Sequence, residues 1–218
     1  MSKAPRPGKV KTRLSPPLTP EQASALNVCF LRDTTENIDQ VAQASNSAGL
    51  VVYTPVGDEA VFESLLPDSF QLLAQRGDAF GERLLHANED LLACGFGAVC
   101  LIDSDSPTMP QQALLDAVAK LAQPGDRVVL GGSDDGGYYL IGVNHVHPEL
   151  FERIDWSTER VLRQTMDRAK EINLAVELLP TWYDVDDAAT LERLRQELLT
   201  VSGEGFEARH TRAYLERS

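Results

Sequence analysis

Asp103 and Asp105 are separated by one residue, and Asp184 and Asp186 repeat that spacing. On an extended backbone it projects both carboxylates from one face. Two bare carboxylates about 4 Å apart repel by roughly 4 kcal/mol at an effective dielectric of 20. A cluster of this kind therefore needs a cation, and hard oxygen donors suit Mg²⁺ or Mn²⁺ better than zinc. Positive charge is gathered elsewhere. Lys3, Arg6, Lys9, Lys11 and Arg13 supply a quarter of the chain's 20 Lys and Arg. They lie in KAPRPGKVKTRLSPPLTP, residues 3–20, whose prolines and glycine argue against a helix. A metal edged by a Gly/Pro loop that carries Lys and Arg is what a polyphosphate requires: the ion bridges phosphate oxygens while the loop's cations and N–H groups hold the rest. Gly8 would let the backbone approach closely, and Lys11 and Arg13, two apart, would point to one side. The plainer alternatives are a basic N-terminal tail and aspartates that merely cap turns and helices. For Asp187, which opens the last long helical pattern, capping is the expected role.

Those residues need elements to position them. Thr19-Pro20-Glu21-Gln22 reads as a capped helix start, with Thr19 as N-cap, Pro20 at N1 and Gln22 completing a capping box; the helix should run to about Asn46. Apolar strands are expected at 49–55, 70–75, 97–103, 126–132, 138–143 and 174–180. Helices are expected at 58–66, 79–95, 110–122, 157–171 and 187–199. Strands that are apolar without alternation, interleaved with helices, predict a three-layer α/β/α sandwich around a mostly parallel sheet, as one domain over residues 1–218. Ligands of such sheets bind at the carboxyl ends of the strands. There CLID runs into SDSPTMP, VVL into GGSDDGG, and AVELLP into TWYDVDD, so three strand ends each deliver at least two carboxylates.

The totals narrow the function classes. With 20 Lys and Arg against 33 Asp and Glu the net charge is −13, which disfavours a nucleic-acid binder or an anionic membrane surface. No 18-residue apolar run and no apolar leader are visible, so neither a membrane span nor a signal peptide is expected. Cys29, Cys94 and Cys100 are odd in number and show no CxxC spacing, the pattern of reduced core thiols in a cytoplasmic protein. His145 and His147 form an HxH pair with no third ligand near in sequence, and a surface or capping role is expected. ARHTRAYL, residues 208–215, reads as a final amphipathic helix.

Taken together, KAPRPGKVKTRL, GDAFGERL, DSDSPTMP, GGSDDGGYYLIG, IDWSTERV and DVDDAATLERL resemble, in order, an uncharacterised bacterial family of the glycosyltransferase-A superfamily. Its members are described as nucleotide-diphospho-sugar transferase-like, and some carry the label of arsenosugar-biosynthesis glycosyltransferase. More distantly the chain resembles 2-phospholactate guanylyltransferase. The resemblance spans residues 3 to about 195 and implies the same sandwich fold. It implies that Gly8, Lys11 and Arg13 belong to a phosphate loop and that Asp105, with Asp103 behind it and Asp186 completing the shell, holds the metal. It further implies that Gln75, Gly77 and Arg83 hold base and ribose, and that Asp135, Gly136, Gly137, Tyr138, Trp156, Ser157 and Thr158 face the acceptor. The chain departs from the family in one respect: only Met1 and Ser2 precede the loop, where relatives have a full apolar strand. Either the true start lies upstream of Met1, or the sheet lacks most of its first strand; the second would leave a neighbouring edge open to association, with a homodimer compatible with it.

The resulting expectation is a metal-dependent transferase that uses an activated nucleotide, with Lys11, Arg13 and Asp105 as catalytic residues. Nucleotidyl transfer from a nucleoside triphosphate to a small acceptor is favoured, because a doubly basic loop matches the greater charge of a triphosphate. Glycosyl transfer from a nucleotide sugar is the alternative, and a non-catalytic nucleotide-binding module the second.

Overall fold

The structure, a computed structural model, describes residues 1–200 and 205–217. Along the chain run β1 (Ser2–Lys3), α1 (Pro20–Ala44), β2 (Leu50–Thr54), α2 (Glu59–Glu63), β3 (Gln71–Ala74), α3 (Phe80–Ala93) and β4 (Val99–Ile102). They are followed by α4 (Gln111–Leu121), β5 (Arg127–Ser133), β6 (Tyr138–Val143), α5 (Val161–Glu171), β7 (Ala175–Trp182), α6 (Ala188–Leu199) and α7 (Arg209–Leu215). The chain divides into two compact units. The first comprises Met1–Ala74, Ser104–Gln111 and Tyr183–Ser218; the second comprises Gln75–Asp103 and Gln112–Trp182.

The first unit contains the parallel sheet β1-β2-β3. Its central strand buries Val51, Val52 and Tyr53 in succession, with no polar alternation to mark a solvent face. Val51 and Tyr53 pack with Ala4, Leu31 and Phe62 in one apolar cluster, each large side chain contributing about 1.5–3 kcal/mol by leaving water. β1 is short. Only Ser2 and Lys3 pair with Tyr53 and Thr54, and the Ala4 N–H continues the ladder to the Thr54 carbonyl at 2.8 Å. The basic stretch that follows is not wholly irregular, because Thr12–Leu14 forms one 3₁₀ turn whose Leu14 is fully buried.

α1 begins as its sequence signals. The Gln22 N–H donates to Thr19 Oγ1 at 3.2 Å and the Thr19 N–H to Gln22 Oε1 at 2.8 Å, a reciprocal capping box. Asp187 caps α6 likewise, accepting from the Thr190 N–H at 2.9 Å, and that bond holds its carboxyl below the ordinary value of 3.8. A depressed folded value means that the stabilisation is present above about 3.8 and is lost as pH falls through the lower folded value. Asp187→Ala should cost about 1 kcal/mol at neutral pH. Chemical denaturation at pH 7 checks this, and wild-type stability there would show that the cap contributes nothing.

The second unit holds the sheet β4-β6-β5-β7, in which β6 is antiparallel to β4 and β5 while β5 and β7 are parallel. All seven residues of β5 are buried. Among the described residues three of the five strand pairings are parallel, and the α/β class with mostly parallel strands is as the sequence suggests. Two local expectations need correction. The helix expected from residue 157 begins at Val161, because Ser157 sits at φ 63° and Thr158 Oγ1 donates to the Asp155 carbonyl at 2.7 Å. The three cysteines are not all core residues, since Cys94 is exposed at the end of α3. Cys29 and Cys100 are partly buried by side-chain exposure, and burial pushes their thiols up to about 11 and about 12, which makes both poor nucleophiles. Among the described residues no helix is long and apolar enough to cross a membrane.

Candidate functional site

In the first unit the basic stretch meets the acidic one. Lys11 takes a left-handed backbone conformation, φ 47° and ψ 38°, at the entrance to the 3₁₀ turn. That conformation directs its side chain onto residues more than ninety positions away. Its ammonium lies 2.6 Å from Asp105 Oδ1 and 2.9 Å from Asp186 Oδ1, and it donates to the Val185 carbonyl at 2.8 Å. Three donors thus meet three oxygens, and the side chain is only 3% exposed. The Phe30 ring lies 5.4 Å from the ammonium, close enough for cation–π attraction. The two acidic residues are tied together independently of Lys11, because the Val185 N–H donates to the Asp105 carbonyl at 2.9 Å. Asp186 is fixed by its own N–H, which reaches Thr190 Oγ1 at 3.0 Å.

Burial alone would lower the Lys11 ammonium, but the charges of Asp105 and Asp186 outweigh it and raise the group above its ordinary 10.5. Because the folded value is raised, the stabilisation from this charge is complete below about 10.5 and is lost only as pH rises through the folded value. Lys11 is therefore a cation throughout the neutral range. Arg13 turns the same way and stays in solvent. Its side chain is 70% exposed, and Nη1 lies 3.4 Å from Asp186 Oδ2. Asp186 thus carries Lys11 on one oxygen and Arg13 on the other.

This geometry tests whether a divalent ion suits the residues. Asp105 Oδ1, Asp186 Oδ1 and the Val185 carbonyl all point at the place the Lys11 ammonium takes. Three hard oxygens converging on one cation are a donor set that Mg²⁺ or Mn²⁺ accepts, so the residues fit the ion. The remaining expected ligand, Asp103, follows β4 in the second unit, where its N–H donates to the Tyr139 carbonyl at 3.0 Å. The loop ahead of Lys11 is anchored by a contact with no local sequence signal. Arg6 forms a two-pronged ion pair with Asp58, one prong at 2.9 Å, 52 residues away. Gly8 takes φ +70° with nothing within 4 Å of where a Cβ would stand, so its backbone is approachable.

The other expected site residues belong to the second unit. Gln75, Gly77 and Arg83 border a loop that holds itself together. Arg83 donates to the Gly77 and Asp78 carbonyls at 3.1 Å each. Glu82 Oε2 accepts from the Asp78 and Ala79 N–H groups at 2.9 and 3.1 Å. Glu82 is thus an organising residue: it supplies one half of a capping box, and because Ala79 has no side-chain acceptor for the other half, the sequence carries no full signal of it. Asp135 is occupied with its own turn, accepting the Gly137 N–H at 2.8 Å. Gly136, at φ +88°, donates to the Ser133 carbonyl at 3.0 Å and accepts from the Leu162 N–H at 2.9 Å. The Tyr138 hydroxyl is enclosed and burial pushes it well above 10. Trp156 stands edge-on to Phe80, ring centroids 5.2 Å apart, and Ser157 and Thr158 shape the turn into α5.

Among the described residues, Asp33, Glu36 and His210 are also close enough to share an ion. Their bonds assign them another job. Asp33 accepts the His210 and Thr211 N–H groups at 2.9 and 2.8 Å, and Glu36 holds Arg209 at 2.9 Å. The group docks α7 on α1. His145 and His147 lie 3.3 and 3.1 Å from Asp126; His145 is at the surface, as expected of the HxH pair, while His147 is partly buried.

Comparison with known proteins bears on the family and the fold. The model of a family described as "Uncharacterized protein conserved in bacteria (DUF2064)" matches residues 37–158. A crystal structure from Desulfovibrio desulfuricans G20, provisionally described as a nucleotide-diphospho-sugar transferase, is 28% identical with a TM-score of 0.84 over 99% of this chain and 94% of that one. The structure of CMP:2-keto-3-deoxy-manno-octonic acid synthetase complexed with CTP is 11% identical, with a TM-score of 0.53 over 76% of this chain and 86% of that one, a likeness of fold. No curated protein matches the chain.

Proposed function

The chain belongs to the bacterial DUF2064 family, and from that premise we propose that it is a metal-dependent transferase acting on an activated nucleotide, with nucleotidyl transfer from a nucleoside triphosphate as its reaction. The observation that carries this reading is the convergence of Lys11 and Arg13 on Asp186, beside Asp105. An exposed arginine and a lysine on a flexible stem, next to paired carboxylates, can neutralise a polyphosphate at one end and a cation at the other. Asp105 and Asp186 would hold Mg²⁺ or Mn²⁺, with Asp103 as a further ligand, and such an ion neutralises charge on the phosphate oxygens. Lys11 and Arg13 would hold the β- and γ-phosphates. The acceptor oxygen forms a bond to the α-phosphorus while the bond to the bridging oxygen breaks. Pyrophosphate leaves, its developing charge stabilised by the two cations. The loop with Gln75, Gly77 and Arg83 would take base and ribose. Asp135, Gly136, Gly137, Tyr138, Trp156, Ser157 and Thr158 would form the acceptor side, with a small-molecule acceptor.

Glycosyl transfer is a second reading, favoured by the description of the Desulfovibrio protein. There the acceptor hydroxyl attacks the anomeric carbon and a nucleoside diphosphate leaves. A thermal-shift panel of nucleoside triphosphates and nucleotide-diphospho-sugars, with and without Mg²⁺ or Mn²⁺, separates the two. A triphosphate that protects more strongly than the matching diphosphate, with metal present, is expected for nucleotidyl transfer. Preference for a diphosphate sugar would favour glycosyl transfer. Failure of every phosphorylated ligand to shift the melting temperature would overturn both.

A further inference from the structure

We propose that Lys11 is a built-in competitor for the metal, so that ion and nucleotide enter the site together and the ion alone is held off. The proposal rests on the transferase reading and deepens it. Its starting point is that the ammonium already satisfies the oxygens a divalent ion would use: Asp105 Oδ1, Asp186 Oδ1 and the Val185 carbonyl, at 2.6, 2.9 and 2.8 Å. An ammonium and a divalent ion cannot share that place, because like charges at such range repel strongly wherever solvent is excluded. One must leave before the other enters.

The local structure gives Lys11 a way out. Its side chain is a flexible four-carbon stem carrying a compact charge. Its backbone is in the left-handed region, φ 47°, a conformation that a residue with a Cβ holds only against a steric penalty. Gly8, with open space where a Cβ would stand, separates Lys11 from the point where Arg6 anchors the loop to Asp58, so the lysine can turn without disturbing that anchor. Arg13, 70% exposed on the same side, is placed to meet an incoming phosphate first. A polyphosphate brings enough negative charge to draw Lys11 off the aspartates, and the vacated oxygens then accept the ion. Without the polyphosphate no new partner compensates the lysine for leaving. The device discourages an ion from settling in the site without its substrate, and it makes metal affinity report nucleotide occupancy, a coupling that must be reciprocal.

Direct measurement of Mn²⁺ binding by calorimetry or by the resonance of free Mn²⁺ tests this. Wild type without nucleotide should bind Mn²⁺ at least tenfold more weakly than Lys11→Ala. Addition of a non-hydrolysable triphosphate should tighten Mn²⁺ binding tenfold or more in wild type and by much less in the variant. Lys11→Gln, which keeps an N–H donor without the charge, serves if the alanine variant folds poorly, and in either variant Mn²⁺ alone should raise the melting temperature more than in wild type. Variants that bind Mn²⁺ no tighter than wild type, while wild type still shows nucleotide-dependent Mn²⁺ binding, would overturn the exchange and leave the transferase reading standing. Absence of any joint Mn²⁺ and nucleotide binding by wild type would remove both.

Discussion

Asp186→Asn is expected to lower metal-dependent nucleotide affinity about 100-fold or more, on the basis that two charge-assisted contacts are each worth roughly 1.5–3 kcal/mol. Asp186 accepts from Lys11 on one oxygen and from Arg13 on the other, and in the proposed site it is also a ligand of the ion. Asparagine keeps the size and one acceptor, which Lys11 can still use. It presents N–H groups where Arg13 and the metal need an anion. The fold should tolerate this change. The Asp186 side chain is 32% exposed, solvent screens its pairings, and the loss of stability should be near 1 kcal/mol. The bond from its own N–H to Thr190 Oγ1 does not involve the side chain and should persist. Calorimetry with a triphosphate and Mn²⁺ checks the affinity, and a denaturation curve checks the fold. A variant that folds normally and binds the metal–nucleotide pair as wild type does would remove Asp186 from the site. Asp105→Asn should behave alike, since Asp105 meets the same ammonium at 2.6 Å.

What could be read in advance follows the range of the interactions. Thr19 and Asp187 were legible as caps because a capping bond closes within three residues, and both bonds form. β2 and β5 were legible because a strand buried on both faces carries no polar alternation. The basic loop and the late acidic run were legible as separate features with opposite charge. That Lys11 would lie against both Asp105 and Asp186 was not, because those partners are ninety-four and 175 residues on and only the fold determines which charge meets which. Arg6 with Asp58 was hidden for the same reason. So was the antiparallel course of β6, since an apolar run does not reveal its direction. The delayed start of α5 is a different case: Ser157 is an acceptable N-cap by type, but its left-handed backbone postpones the helix by four residues, and no periodicity announces a single positive φ. The sequence read Lys11 as a phosphate ligand and the aspartates as metal ligands. The structure joins the two groups directly, and the proposed exchange rests on that contact.

Gly136→Ala should be among the most destabilising single-methyl changes in the second unit, lowering stability by about 3 kcal/mol or more. Two causes add. The residue sits at φ +88°, where an L side chain costs roughly 1–2 kcal/mol. The new methyl would also stand 2.7 Å from the Glu159 Cα and closer still to its carbonyl oxygen. Those are backbone atoms and cannot swing aside as a side-chain tip could. Nor can the turn retreat easily, because the Gly136 N–H is held by the Ser133 carbonyl and its own carbonyl by the Leu162 N–H at the start of α5. For a domain of this size the melting temperature should fall by roughly 6–12 °C. Gly8→Ala supplies the internal control. Gly8 also has positive φ, +70°, but no atom lies within 4 Å of its would-be Cβ, so only the backbone cost applies, about 1–2 kcal/mol. The difference between the two variants isolates the close packing of the Asp135–Gly137 turn on the Glu159 backbone. Equal losses would mean that the turn can yield, and that its glycine is there for the dihedral angle alone.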